Sequence, residues 1–322
     1  MRLARSCGIA MGILAAGLAG ASSADQQFPW KPLRFVVPFA PGGASDVVVR
    51  AMKEPLSRAL GRSVVVENRP GANMVIAAEL VARAPPDGHT VLVGGTVLMA
   101  VLRRNLPFDP LGDFAAVARV GTQQLVLSVH PSLPARSVSE LVAIARAHPG
   151  ELVYATNGYG TMGHLVGELF MLRTRSKMKH VAFQGGAPAV MAVVGGHVSM
   201  VVSGIAPIVD HIAAGRLRAL AVTSRKRSAT LKDVPTAMES GVPDFDISVA
   251  NTIMAPAATP KAAIYRLSAE IMRVARLSQV EASLRRIGFD IDTAGAAELE
   301  ADLRTRVEKM KQLVRAANIR VN

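Results

Sequence analysis

The sequence predicts an α/β fold built on a largely parallel sheet, on two observations. Short apolar runs alternate with helical segments through most of the chain, and a strand, a Gly-rich loop and a helix start recur at two widely separated places. A chain of 322 residues is long enough for two modest domains.

The elements follow in order. Residues 1–24 read as a cleavable secretory leader: Arg2 and Arg5 are its basic start, Gly8 to Ala19 its apolar middle, and Ala21-Ser22-Ser23-Ala24 its small-residue cleavage zone. Cleavage is expected between Ser22 and Gln26. Its apolar stretch is too short for a membrane span, so the mature chain is expected to be soluble and exported. Cys7 is the only cysteine and lies in the leader, so disulfides, cysteine metal sites and a thiol nucleophile are not expected in the mature protein.

Strands are predicted at Leu33 to Phe39, Ser63 to Glu67, Thr90 to Gly94, Leu125 to Val129, Leu152 to Ala155, His180 to Phe183, Val198 to Val202 and Leu217 to Thr223, with helices between them. Ser137 and Glu140 form a capping box ahead of Leu141 to Ala147, and Pro149-Gly150 stops that helix. Thr259-Pro260 reads as an N-cap followed by an N1 proline for a helix through Arg276. Ala296 to Ala317 is a long amphipathic helix whose stripe of Leu299, Leu303, Val307, Met310 and Val314 faces the core.

Chemistry concentrates in the two Gly-rich loops. In the first, Phe39-Ala40-Pro41-Gly42-Gly43-Ala44-Ser45-Asp46 joins a strand to a helix start, where glycines let backbone approach a ligand and unpaired N–H groups face an anion. Such a loop is either a carboxylate site or simply a tight turn. The second, Thr156-Asn157-Gly158-Tyr159-Gly160-Thr161-Met162-Gly163-His164, has the same layout. Ligands of open α/β sheets bind beyond the carboxyl ends of strands, so two facing loops fit one small molecule in a cleft.

Composition and motifs narrow the class. The formal net charge is +13, from 37 Lys+Arg against 24 Asp+Glu, but the bases are scattered and only 4% of residues are aromatic, which argues against a nucleic-acid surface. No Gly-x-Ser-x-Gly elbow is present, since Gly158-Tyr159-Gly160-Thr161 has the wrong residue at the nucleophile position. No His-Glu-x-x-His or clustered carboxylate-histidine spacing marks a metal. A non-enzymatic protein without metal or cofactor is expected.

The residues resemble a known family, the periplasmic solute-binding receptors of tripartite tricarboxylate transporters, often called Bug-type receptors. The resemblance rests on Pro29-Trp30-Lys31-Pro32, Val37-Pro38-Phe39-Ala40-Pro41-Gly42-Gly43 with Asp46, and Val66-Glu67-Asn68-Arg69-Pro70-Gly71-Ala72. It continues through Pro86-Asp87-Gly88, Asp113-Phe114, Gly158 to Leu165, Leu217 to Thr223, Pro235-Thr236 with Glu239 and Gly241, and Ala255-Pro256 with Thr259-Pro260.

The resemblance implies a two-domain periplasmic binding protein fold, type II-like, closing on a small organic acid. Residues 25–124 plus 251–322 would form domain 1 and residues 125–250 domain 2, joined by crossover strands near Leu125 to Val129 and Ile247 to Ala255. It also implies a monomer that serves membrane permease subunits or, alternatively, a membrane sensor.

Carried over, the ligand-binding positions are Ala40, Gly42, Gly43 and Asp46 from the first domain. From the second they are Asn157, Gly158, Gly160, Thr161, His164 and Phe183. Thr161 either caps its helix or donates to a carboxylate, and Asp46 either orients its loop or meets an ammonium or hydroxyl of the ligand. His164 either bonds a neighbouring loop or serves as a functional group.

The sequence departs from the family pattern at Asn73-Met74-Val75, where relatives read Gly-Gly-Asn, and at Ala182-Phe183-Gln184-Gly185, where they read Pro-Tyr-Lys-Gly. Ala250 and Thr252 replace a usual tryptophan and glycine. A cleft with a more apolar wall and fewer polar anchors is expected.

Overall fold

The computed structural model describes residues 27–94 and 106–316, so the leader lies outside the described residues. The apolar runs form the expected strands, with ends displaced by a residue or two: β1 (Leu33–Val37), β2 (Val64–Asn68), β3 (Thr90–Val93), β5 (Val153–Thr156), β6 (Lys179–Ala182), β7 (Met200–Gly204) and β8 (Arg218–Val222). One strand is much longer than the sequence pattern indicated, and another lies one residue along from the expected crossover at Ile247 to Ala255. β4 runs from Phe114 to Val129 and β9 from Ser248 to Pro256, while β10 (Phe289–Asp290) is a short addition. The first half of β4 is rich in alanine and glycine, which carry little strand propensity, and its pairing with β9 along the register Phe114↔Pro256 to Gln124↔Ser248 supplies the missing preference.

The strands form one continuous sheet in the order β2-β1-β3-β9-β4-β7-β5-β6, with β8 and β10 also paired to β4. β1 is parallel to β2 and β3, and β5 is parallel to β6 and β7, while β4 is antiparallel to β9, β7 and β8. Each half therefore repeats one plan. β2-β1-β3-β9-β4 in the first lobe matches β6-β5-β7-β4-β8 in the second, and β4 changes partner between Gln124, opposite β9, and Leu125, opposite β7. This is the two-lobed, type II-like binding-protein arrangement, with β4 running through both lobes.

Helices α1 (Ala44–Leu60), α2 (Val75–Ala82), α3 (Val138–Ala147), α4 (Met162–Thr174), α5 (Gly186–Val194), α6 (Val209–Ala213), α7 (Lys261–Ala275), α8 (Ser278–Arg286) and α9 (Ala296–Ala316) cover the sheet. Buried clusters lie on both faces of each lobe, around Phe35, Leu56 and Ile271 and around Leu92 and Leu299 in the first, and around Tyr154 and Phe170 and around Val126 and Val201 in the second. The apolar stripe of α9 spans both lobes, with Leu299, Leu303 and Val307 in the first and Met310 in the second.

Helix starts follow their capping chemistry. Ser137 caps α3, its hydroxyl accepting from Glu140 N–H at 3.2 Å. The expected Thr259 cap of α7 is not formed: the helix begins at Lys261 after Pro260, whose ψ of 135° is not helical. Proline thus takes the cap position, and the buried Thr259 hydroxyl has no partner among the described residues.

Candidate functional site

β1 and β5 occupy matching places in the two lobes, each with a parallel neighbour on either side, and this is where an open α/β sheet presents its ligand. From β1 the chain turns through Gly42, at φ +82°, and enters α1 with Gly43 as N-cap. From β5 it turns through Gly158 and Gly160 and enters α4 with Thr161 as N-cap. A third strand–Gly-Gly–helix unit faces them: β6 leads through Gly185 into α5, which begins at Gly186.

Between these helix starts lies a cavity of about 80 Å³. Gly43, Ser45, Asn157, Thr161 and Gly186 line it at the helix N-termini, and Met74, Leu125, Met162, Pro207 and Val249 give it apolar walls. Gln123, Ser203 and Asn251 complete the polar lining. No charged side chain lines it among the described residues. Its positive potential comes from backbone: N–H groups of a first helical turn have no intrahelical partner and concentrate roughly half a positive charge per helix.

The lobes touch at this point. Ala40 donates its backbone N–H to the Gln184 carbonyl at 2.9 Å. A Cβ built on Gly185 would stand 3.1 Å from Ala40 N, so the glycine permits this approach.

Asp46 does not line the cavity. It is 2% exposed and accepts from Gly42 N–H at 2.9 Å, Arg50 Nε at 2.8 Å and Asn68 Nδ2 at 3.0 Å, and Asn68 also donates to the Phe39 carbonyl. Burial by itself would raise its pKa, but the hydrogen bonds from Arg50, Gly42 and Asn68 and the charge of Arg50 outweigh it and hold the carboxyl below the ordinary range. Asp46 therefore fixes the first loop. Asp46→Ala is expected to destabilise the protein by about 2 kcal/mol at pH 7, because it removes a buried carboxylate that accepts three hydrogen bonds, one of them from the charged Arg50. The contribution is full above the unfolded carboxylate pKa and is lost as pH falls through the depressed folded value. Urea unfolding at pH 7 checks it, and unchanged stability would remove the loop-fixing role.

The second loop is held by its own side chains. Thr161 Oγ1 donates to the Gly158 carbonyl at 2.7 Å and accepts from His164 N–H at 3.4 Å, so its hydroxyl serves the turn and the cap while its residue lines the cavity. His164 Nδ1 accepts from Gly160 N–H at 3.2 Å. Its ring stacks on His180 at 4.2 Å between centroids, and His180 Nε2 lies 2.7 Å from Thr156 Oγ1. Burial lowers His164 to about 4, and burial followed by the neighbouring His164 lowers His180 to about 3. Both rings are neutral at pH 7. The loop is locked without placing charge in the site.

Of the positions carried over from the resemblance, Gly43, Asn157 and Thr161 line the cavity, while Ala40, Gly42, Asp46, Gly158, Gly160 and His164 shape the two loops around it. Phe183 packs against the cluster of Val126, Ala155 and Val190 and is not among the lining residues. Met74, at the departure from Gly-Gly-Asn, does line it, at φ +78° and 5% exposed.

Sequence reasoning missed Ser45, Gln123, Ser203, Gly186 and Asn251 as site residues. The repeated Gly-Gly before α5 and the two glutamines at 123 and 124 inside an apolar run were the available signals. Among the described residues no group of His, Cys, Asp or Glu is placed to hold a metal ion.

Residues 48–319 match the family profile described as "Tripartite tricarboxylate transporter family receptor". The chain is 38% identical over 263 residues to protein BugT of Bordetella pertussis (strain Tohama I), which covers 80% of each chain. A solved structure of an R. palustris protein with adipate superposes with a TM-score of 0.87 at 30% identity, over 91% of this chain and 99% of the other. MatC from Rhodopseudomonas palustris with bound malate superposes with a TM-score of 0.85 at 30% identity, over 89% of this chain and 100% of the other.

Proposed function

This chain belongs to the tripartite tricarboxylate transporter receptor family, and we propose that within it the protein is an exported, monomeric receptor that captures one small organic carboxylate and presents it to membrane permease subunits. The observation that carries this reading is the convergence of the α1, α4 and α5 N-termini on one cavity lined by no charged side chain among the described residues. Backbone N–H groups and helix dipoles bind an anion without the desolvation cost of a buried cation. The relatives solved with adipate and malate support a small acid as the ligand.

Closure is the working step. We place domain 1 at 25–124 plus 251–322 and domain 2 at 125–250, a division supported by the change of partner along β4 between Gln124 and Leu125. A carboxylate bridging the loops of both lobes favours the closed arrangement, in which Ala40 bonds Gln184, over an open one. A membrane partner can then distinguish loaded from empty receptor by shape.

The test is a thermal-shift screen of small organic acids, followed by chromatography of the best after long incubation. A cognate acid near 100 times its dissociation constant is expected to stabilise the protein by about 2.7 kcal/mol and to be recovered unchanged. Conversion of the acid in proportion to protein would replace the receptor reading with catalysis.

A further inference from the structure

Two buried oxygens in the cavity wall have no hydrogen-bond donor. Gln123 and Asn251 are 7% and 2% exposed, both line the cavity, and neither Gln123 Oε1 nor Asn251 Oδ1 has a partner among the described residues. Asn251 is oriented by its amide nitrogen, which donates to Ser45 Oγ at 3.0 Å. Gln123 Oε1 lies against Gly204, another lining residue, where an added Cβ would come within 2.3 Å of it. An unpaired buried acceptor is unfavourable, and a site that carries two gains most from a ligand that brings a donor.

A carboxylate brings none at neutral pH, so the donor must be a second group on the ligand. Ammonium and hydroxyl are the candidates, and electrostatics separates them. No acidic side chain lines the cavity among the described residues, the nearby Asp46 is already committed to Arg50, Gly42 and Asn68, and three helix N-termini repel a cation. A neutral hydroxyl suffers no such repulsion. The space also favours a short molecule, since the cavity holds about 80 Å³ and is walled by Met74, Leu125 and Val249.

Resting on the carboxylate reading above, we infer that the ligand is a small hydroxycarboxylate, its carboxylate at the helix N-termini and its single hydroxyl proton shared in a three-centre bond between Gln123 Oε1 and Asn251 Oδ1. Family membership does not decide this point, because adipate has no hydroxyl and malate has one. The two amide side chains then act as selectivity residues. They reject the deoxy acid by leaving themselves unpaired and the amino acid by offering no counter-charge.

Calorimetry on matched triples tests it: lactate, propionate and alanine; 3-hydroxybutyrate, butyrate and 3-aminobutyrate; malate, succinate and aspartate. The hydroxy acid of at least one triple is expected to bind about tenfold or more tighter than both companions. In Gln123→Met and Asn251→Leu that ratio is expected to fall to about threefold or less. Equal affinities within every triple that binds would overturn the hydroxyl assignment and leave the carboxylate reading standing. A preference that persists in both variants would overturn the roles of Gln123 and Asn251. Should one variant fail to fold, the other and the wild-type ratios decide the matter. No binding by any acid would overturn the carboxylate reading and this inference with it.

Discussion

Gly43→Val is expected to abolish carboxylate binding, by about 100-fold or more, in a protein that still folds, because a side chain there occupies the cavity without straining the backbone. Gly43 has φ −75° and ψ 165°, an extended conformation open to any residue. A Cβ there meets only Ala40 O at 3.6 Å and Gly186 N at 4.0 Å, so the first carbon is tolerated. The two further methyl groups then stand between the N-termini of α1 and α5, in a cavity of about 80 Å³. Valine is a poor N-cap, and the change costs about 1 kcal/mol of stability. Gly160 makes a less direct test, since at φ +65° a β-branched residue strains the turn itself. Calorimetry on the folded variant with the acid selected by thermal shift is decisive: wild-type affinity would remove the first loop from the site.

Acid is expected to unfold the second lobe's loop before the carboxylate network fails. His164 and His180 stack with planes 17° apart beneath Tyr159, and Tyr154 lies against His180 with its hydroxyl on Glu168 at 2.7 Å. Glu168 is the nearest acidic group, with an oxygen 3.7 Å from His164 Nε2. Their folded pKa values, about 4 and about 3, lie below the ordinary histidine value of 6.5. Below pH 6.5 the unfolded chain therefore binds more protons than the folded one. The stability conferred by the neutral pair is full above 6.5 and declines as pH falls toward the folded values. By pH 4.5 the loss is on the order of 2–3 kcal/mol per histidine. Urea unfolding at intervals from pH 7 to 4.5 should show this slope, and His180→Phe should flatten it. A flat profile in the wild-type protein would mean that the rings are solvated or charged in the folded state.

Met74 illustrates how far a local reading reaches. The departure from Gly-Gly-Asn to Asn73-Met74-Val75 pointed to a more apolar wall, and Met74 does line the cavity, in a left-handed conformation that the usual glycine adopts without cost. Phe183 comes from the same comparison of motifs, and its partly buried ring packs against a core cluster, because the face a residue presents after β6 depends on how the lobe's helices cover the sheet. Thr161 and His164 lay between: their positions were legible as a helix start, whereas their bonds to Gly158 and Gly160 depend on the turn the glycines take.

By itself the sequence determined the α/β alternation, the two Gly-rich helix starts and most strands, because these follow from periodicity, capping and turn chemistry within a dozen neighbouring residues. Only the tertiary structure decided that β4 is one strand serving both lobes, since its Ala-rich half takes its conformation from pairing with β9, more than a hundred residues away. It also decided the cavity's polar lining. Ser45, Gln123 and Asn251 of the first lobe and Ser203 of the second come from a helix and three strands far apart in sequence, so no local pattern marks them. Burial then makes the unpaired oxygens of Gln123 and Asn251 consequential, because the same amides in water would never lack a partner.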